Sequence, residues 1–596
     1  MGAFAAILNE DHAADPAVIE RMLASAPHRG SRVDRLAVGR SALGIVNAPE
    51  VPTDASLAER DGLAAAFAGR LDNLGDLAKR FLEQDSVQAG STPAELILAI
   101  FRTLGDGTPS VLRGVFGGAI TDGTRLWAFR DHMAFGGLYY RQEPRSIYVA
   151  SEAKQVVAGS GINAEPDLEA VERYFYADVD DATPCALKGV NRLPKATILL
   201  SDGRTARSRR YWDPLSMVET GRYTDEEVVD RFHELMTQAV GRVLTGNDCV
   251  SLSGGVDSPA VAAFGADAHL AMSGRRLGAI SMVFPSYPAV DESPFIQKVV
   301  ERYPIDLHAY EPSARPLDDI ERWVRLCDGP VPVHPPAEAA EHYTMARSMG
   351  YTTMMGGDLA EFVIDRRYSL LSYLLAHGRW GAVPGVIASQ RDMGVGWPAI
   401  ARQFVHPFVP RSLMVARERR TFSGPDGGFP DWLDERRVNE VNARFILVPR
   451  TRWRTEQIAF FVGPAIGTEA DEIIQAVCGV RNRRPWIDID LTEFFLSLRA
   501  EVKFPDARMK TLVKRLLRGV VPDEILDRSK KTFFNDRILG TIDWDALRRW
   551  LVEPSYRIPG IDYDALATRI EAKDFAIGDH KWAVDLAKTH AFLAQW

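Results

Sequence analysis

Val250-Ser251-Leu252 runs into Ser253-Gly254-Gly255-Val256-Asp257-Ser258, then Pro259 and an alanine-rich stretch, and this passage decides the fold. The apolar triplet reads as a short strand and the alanines as a helix, so the turn between them opens on a helix N-terminus. Two glycines let backbone amides approach an anion closely, two serines add hydroxyl donors, and the helix start offers partial positive charge. Pro259 falls in the first helical turn, where no amide partner is needed. Asp257 would repel a phosphate but suits Mg²⁺, a hard cation that prefers oxygen ligands. A bare Gly/Ser turn is the plain alternative, and the strand before it and the helix after it favour the anion cradle. This is not a Walker loop, which needs Gly-Lys-Ser/Thr.

Working outward, helices dominate from 224 to Trp596, interrupted by short apolar strands predicted at 248–252, 278–284 and 352–355. Strands alternating with helices imply a parallel sheet. Thr224-Asp225-Glu226-Glu227 has the residues of a helix start. The texture changes near Trp212-Asp213-Pro214, which sets domains at 1–212 and 213–596. Before that boundary the chain reads as α+β. Hairpins are predicted where 115–121 meets 125–129 across Asp122-Gly123, and where 196–200 meets Thr205 across Ser201-Asp202-Gly203. Helices are predicted at 16–23, capped by Asp15, and at 93–104. A turn-rich loop is expected at 423–430.

Composition bounds the rest. A chain of 596 residues with 46% hydrophobic and 25% charged residues is globular and multi-domain. A net charge of −9 argues against nucleic-acid or anionic-membrane binding. Four dispersed cysteines without a C-x-x-C fit neither a disulfide scaffold nor a zinc ribbon. With no basic signal region and no long apolar run, a cytoplasmic location is expected.

The S-G-G-x-D-S pattern is that of a pyrophosphate loop, and five such fixed positions arise by chance in on the order of one in a thousand chains of this length. Placed behind a β-rich domain, it resembles the asparagine synthetase family. His28-Arg29-Gly30, Gly69-Arg70-Leu71-Asp72-Asn73, Arg130-Asp131 and Ala150-Ser151-Glu152-Ala153-Lys154 resemble landmarks of its glutamine-hydrolysing domain. Gly356-Gly357-Asp358, the segment from Gly479 to Asp488 and the segment from Lys510 to Phe533 resemble elements of its synthetase domain, with Arg481 where the family has glutamate. The resemblance implies an Ntn-hydrolase-like (class II glutamine amidotransferase-like) α+β sandwich followed by an α/β ATP-pyrophosphatase domain. A helical insertion is expected at about 360–470.

The departures are informative. The family's nucleophilic cysteine reads Gly2, its carboxylate-gripping arginine Ala42, its oxyanion asparagine Ala68, and its amine-holding acid Thr92. The first domain is therefore expected to lack glutaminase activity and to serve as a packing surface. The amine must then come from elsewhere, most simply from the substrate. That logic leads to the branches of the family lacking the cysteine, β-lactam synthetases and lasso-peptide macrolactam cyclases. The long stretch from Asp358 to Gly479, with apolar segments at 368–375, 380–387 and 397–405 and with Arg411, Arg417, Arg419 and Arg420, favours a peptide substrate.

The resemblance also implies roles. Ser253, Gly254, Gly255 and Ser258, with Gly356 and Gly357, would bind ATP, and Leu252, Met282 and Val283 would contact adenosine. Asp257 and Asp358 would hold Mg²⁺. Lys530, or the adjacent Lys531, would neutralise charge on the phosphates and the tetrahedral intermediate, whereas Lys510 reads as structural or substrate-facing. The position of the base tyrosine of β-lactam synthetases reads Met355, which takes no proton, while Glu469 matches that tyrosine's supporting glutamate. The expected reaction is adenylation of a carboxylate followed by attack of an amine of the same precursor peptide. A leader peptidase and a leader-binding protein are the implied partners. Alternatives are an ammonia-dependent asparagine synthetase, a small-molecule amide synthetase, and a nucleotide-binding relic without chemistry.

Overall fold

The computed structural model describes residues 2–48, 54–82, 91–180, 184–331, 335–364, 370–405, 408–419, 430–445, 452–463, 466–506, 508, 510–528, 532 and 534–596. Strands β1 (Ala3–Asn9), β2 (Arg32–Val38), β3 (Ser41–Asn47), β4 (Ala55–Arg60), β5 (Leu63–Leu71) and β6 (Gly114–Thr121) open the chain. They are followed by β7 (Leu126–Arg130), β8 (Tyr139–Glu143), β9 (Ser146–Ala150), β10 (Asn191–Arg192), β11 (Thr197–Ser201) and β12 (Ala206–Arg210). They form two antiparallel sheets, ordered β10-β8-β9-β1-β3-β2 and β12-β11-β7-β6-β5-β4. Helix α1 (Pro16–Ala24) covers the first sheet and α2 (Pro93–Leu104) the second.

Burial on both faces explains why β1 carries no polar alternation. Phe4, Ala6 and Leu8 pack between the sheets, while Ala3, Ala5 and Ile7 meet Ile19, Met22 and Leu23 of α1. Both hairpins form as the Asp-Gly turns predict, with Thr121 opposite Leu126 and Ser201 opposite Ala206. Asp15 caps α1, and Thr92 caps α2 in a reciprocal box with Glu95.

The second half is built on a parallel five-stranded sheet. Its elements are α3 (Asp225–Val243), β13 (Asp248–Ser251), α4 (Asp257–Ser273), β14 (Leu277–Met282), α5 (Ser293–Arg302) and β15 (Ile305–Tyr310). After these come α6 (Pro336–Ser348), β16 (Thr353–Met355), α7 (Ile466–Cys478) and β17 (Arg481–Arg483). The sheet order is β15-β14-β13-β16-β17. Cys249, Ile280 and Met354 face one core, while Val250, Ala279 and Met355 face the other. Central strands buried on both faces show apolar runs, as the sequence led us to expect. The edge strands β15 and β17 are additions to that expectation. Ile305–Tyr310 interleaves apolar residues with Asp306 and the half-buried His308, and Arg-Asn-Arg has no apolar side chain to mark it.

The domains are locked by buried ion pairs. Glu469 and Glu472 stand three apart on one face of α7 and enter the first domain together. Arg29 grips Glu472 with two bonds of 2.7 and 2.6 Å, and Arg130 and Arg192 close on Glu469. Arg113 adds a pair to Asp490 at 3.1 Å. The insertion is helical, and its helices Leu370–Ala376, Val383–Asp392, Trp397–Val405 and Arg452–Val462 build a small separate core around Leu374, Ile400 and Trp453. Its surface leaves Trp380, Trp397, Phe408 and Leu413 at least 60% exposed. Residues 368–369, Arg420 and 423–429, named in the sequence reading, lie outside the described residues. No helix among the described residues is long and apolar enough to cross a membrane.

Candidate active site

The site sits where open α/β sheets bind ligands, beyond the carboxyl ends of the strands. β13 ends at Ser251, and the loop from Leu252 to Val256 delivers Asp257 to the first turn of α4. Inside the loop, Ser258 Oγ accepts from Ser253 N at 2.9 Å and lies 2.9 Å from Ser253 Oγ. Glycine is required at two places. A Cβ on Gly254 would lie 2.7 Å from Glu292 Cβ, and one on Gly357 would lie 2.4 Å from Ser258 N. The Gly-Gly-Asp element therefore packs directly against the start of α4, which sets Asp358 beside the loop that carries Asp257.

Asp257 takes a bond to its carbonyl from Trp486 Nε1 at 2.9 Å and an ion pair on Oδ2 from Lys510. Its Oδ1 is buried with no hydrogen bond. Asp358 pairs with Arg484, whose other side reaches Asp471. Burial pulls the Arg484 guanidinium down, but Asp358 and Asp471 outweigh that and raise it. Among the described residues no three His, Cys, Asp or Glu side chains form a metal cage. The orphan oxygen of Asp257 beside Asp358 fits Mg²⁺, which is bound by one or two carboxylates with substrate phosphates completing its shell.

Lys530 and Lys531 lie outside the described residues. Their neighbours Arg528 and Thr532 both donate to Glu292 Oε1 at 2.8 Å, and Glu292 Oε2 accepts from Gly254 N at 2.9 Å. The segment's two flanks are thus tied to the loop. Leu252, Met282 and Val283 gather at adjacent strand ends, as expected, but Leu252 N and Val283 N are committed to Ile280 O and Tyr310 O. Their amides are not free to read a base.

Glu469 is the main correction. It faces the first domain, buried between Arg130 and Arg192. Burial raises its carboxyl, yet the two arginines outweigh that and hold it below the usual range. A carboxylate held this way does not take protons at neutral pH. Met355 is fully buried in the core and does not face the site.

Two adjacent residues on α6 are the ones that sequence reasoning missed. His342 Nε2 lies 2.8 Å from Ser251 Oγ and its Nδ1 lies 3.0 Å from Tyr310 OH, joining the ends of β13 and β15. Burial pushes the imidazole down to about 4, against the pull of Glu341 and Asp358, so it is neutral at pH 7. Tyr343 OH donates to Asp471 Oδ1 at 2.8 Å and accepts from Asn482 Nδ2 at 3.1 Å. Gln475 Nε2 also donates to Asp471, at 2.7 Å. The sequence carried one signal for these: a His-Tyr pair on the helix preceding the strand that bears Met355.

The first domain's pocket is altered to match its missing residues. A Cβ on Gly2 would lie 2.7 Å from Asn47 Oδ1, 2.8 Å from Ala55 Cβ and 2.8 Å from Val46 O. Thr92 is occupied as a helix cap. The retained landmarks have structural partners: Glu152 accepts from His28 at 2.7 Å, from Lys154 at 2.6 Å and from Arg29.

Residues 231–554 match the asparagine synthase family, and residues 1–212 match the glutamine amidotransferase domain family. The chain is 21% identical over 506 residues to asparagine synthetase (glutamine-hydrolyzing) 3 of Bacillus subtilis strain 168, spanning 81% of this chain and 78% of that one. It is 24% identical over 545 residues to amidase chry2 of Gibberella zeae, spanning 80% and 78%. A third relative, amidase chyE of Penicillium rubens, is 28% identical over 238 residues, or 37% of this chain and 34% of that one.

Proposed function

We propose, for a chain that belongs to the asparagine synthase family and carries a class II glutamine amidotransferase-type domain ahead of its synthase domain, that it closes an amide bond within one peptide substrate. The family's chemistry is ATP-dependent amide synthesis that leaves AMP and pyrophosphate. The finer reading, a lasso-peptide macrolactam cyclase, is ours. One observation carries it. Position 2 has neither a nucleophile nor space for a side chain, so no ammonia is made in place and the amine belongs to the substrate.

In the first step a carboxylate of the peptide attacks the α-phosphorus of ATP, forming an acyl-adenylate and expelling pyrophosphate. The start of α4 and the hydroxyls of Ser253 and Ser258 meet the phosphates, Gly254 and Gly255 let the loop approach them, and Gly356 and Gly357 close the far side. Mg²⁺, when bound by Asp257 and Asp358, supplies charge neutralisation at the phosphates. Lys530, by its match to the family lysine, would add positive charge at the phosphates, and Lys510, paired with Asp257, lends its ammonium there. In the second step the amine attacks the acyl carbon and AMP leaves. The amine must lose a proton, which leaves with the departing AMP and solvent; neutral His342, too weakly basic to hold it, positions Ser251 Oγ at the end of β13. Holding both reacting groups in one pocket offsets the entropy of ring closure. The exposed aromatic surface of the insertion suits a peptide, and a leader peptidase and a leader-binding protein are the proposed partners.

A second reading is a small-molecule amide synthetase, favoured by the Tyr343–Asp471 pair, a buried tyrosine on a carboxylate beside the Asp358–Arg484 pair. The deciding experiment measures pyrophosphate release with ATP and Mg²⁺. Candidate precursor peptides, aspartate with ammonia, and buffer alone are compared, with mass spectrometry of the products. Peptide-dependent release with loss of one water from the peptide supports the cyclase. Asparagine formed from aspartate and ammonia, with no peptide product, overturns it.

A further inference from the structure

Asp291 and Glu292 stand side by side where the chain enters α5, and their side chains serve different ends. Asp291 Oδ1 accepts from Ser293 Oγ at 2.8 Å and from Phe284 N at 3.0 Å, so it fastens the start of the helix. Glu292 holds the N-cap position, yet its side chain makes no capping bond. Its carboxylate turns instead toward two other segments. Oε2 accepts from Gly254 N at 2.9 Å, and Oε1 accepts from Arg528 Nη1 and from Thr532 Oγ1, both at 2.8 Å.

Further contacts tie the same corner. Arg528 Nη1 also donates to Gly254 O at 3.2 Å, and its guanidinium lies 4.4 Å over the Phe295 ring. Thr532 Oγ1 accepts from Arg528 while donating to Glu292, which closes a ring of three polar groups. Phe534 meets Phe284 edge-on at 5.4 Å. Glycine at 254 makes the approach possible, since a Cβ there would lie 2.7 Å from Glu292 Cβ and 3.0 Å from Phe295 Cβ.

On charge alone the placement is unfavourable. A carboxylate beside an anion cradle opposes the phosphates that the cradle admits. Arg528 offsets that charge, and Asp291 already serves the helix start. What remains for Glu292 is to join the loop before α4 to the backbone that carries Arg528 and Thr532.

We infer that Glu292 is a positioning residue of the adenylation step. It holds the first glycine of the loop in a fixed relation to Arg528 and Thr532, and it acts on the reaction only through them. The inference rests on the reading of this loop as the ATP phosphate site. A glutamine in its place has one acceptor oxygen, which serves one of the two segments but not both.

The test compares the full chain with Glu292→Gln. Hydrogen exchange is followed in one peptide covering Gly254 and in another covering Arg528 and Thr532, with α7 as the internal control. Both peptides are expected to exchange faster by about tenfold or more, as for the loss of a hydrogen bond to a charged group, with α7 unchanged. Calorimetry with ATP and Mg²⁺ is expected to give an affinity within about threefold of the parent or tighter, because a carboxylate has left the anion's side. Pyrophosphate release, with whichever substrate supports it in the parent, is expected to lose kcat by about tenfold or more while KM for ATP holds. Thr532→Val is the second variant, for a Glu292→Gln chain that fails to fold. Among the described residues Thr532 bonds Glu292 and Arg528 but no atom of the loop, so faster exchange at Gly254 must pass through them. Loosening of one peptide alone or of neither, ATP affinity weakened by more than about threefold, or a raised KM with kcat unchanged would each overturn the inference. A parent chain that binds no ATP overturns the reading of the loop and this role with it. A parent chain that binds ATP but releases no pyrophosphate with any peptide overturns only the choice of substrate, and exchange and ATP affinity then decide.

Discussion

At the scale of the residue, His342 and Gly2 carry the most chemistry. We expect His342→Ala to lower pyrophosphate release by on the order of tenfold, because Ser251 Oγ and Tyr310 OH at the strand ends lose the ring that joins them. Pyrophosphate-release assays and melting of the same preparation check this, and near-parental rates would show the link between the strand ends to be dispensable. Gly2→Ala is expected to destabilise the chain by about 1–3 kcal/mol, since its Cβ would meet three atoms within 2.8 Å, one of them backbone. Denaturant melts with unchanged m-value measure it; a neutral Gly2→Ala would show the pocket to be open. The strand, loop and helix start from Val250 to Ser258 were legible in the residue pattern alone, whereas the part assigned to Asp358 came only from resemblance. Glu469 was not, because α7 is polar on two opposite faces. Two positions on, nearly half a turn round the helix, Asp471 looks to Tyr343 and Arg484 while Glu469 looks to the first domain.

At the scale of the element, the close approach of the Gly-Gly-Asp turn to the start of α4 is the tightest constraint. Gly357→Ala places a Cβ 2.4 Å from Ser258 N and 2.7 Å from Asp257 C, so one of the two elements must move. A displacement of about 1 Å in positioned groups costs on the order of 100-fold in rate. We therefore expect pyrophosphate release to fall by that factor while circular dichroism stays unchanged; near-parental activity would place the turn elsewhere in solution. Helix starts were well marked in the sequence, since caps such as Thr92 with Glu95 and Thr224 with Glu227 are local contacts. Central strands were marked by apolar runs. β17 was invisible, because three polar residues become a strand only when β16 offers its edge, with Thr353 opposite Arg481 and Met355 opposite Arg483.

At the scale of the whole molecule, buried histidines set the response to acid. Burial pushes His132 down to about 3, and His342 and His590 down to about 4, so the folded chain holds them neutral. The unfolded chain binds protons first as pH drops below about 6.5. Stability is thus complete above that value and declines as pH falls toward about 4, by up to a few kcal/mol per histidine. Glu152 acts in the same direction lower down. Burial raises its carboxyl, but Lys154, Arg29 and His28 outweigh that, so its contribution is lost below the ordinary carboxylate range. Equilibrium melts from pH 7 to 4 test this, and a His132→Phe chain should show a shallower decline; a flat profile would refute the assignment.

The seating of α7 in the first domain has a practical side for anyone who wishes to use the synthase half as a module. Excision at 213 would strip Arg29, Arg130 and Arg192 from Glu472 and Glu469, leaving two acids bare on the helix that also positions Asp471. Losing the partners of buried carboxylates is strongly destabilising. The truncated gene should yield aggregated protein, and supplying residues 1–212 as a separate polypeptide during synthesis should rescue it. A soluble, active fragment made alone would refute this. Domain shuffling among relatives would then have to exchange both halves, or carry the arginines along with the acids they hold.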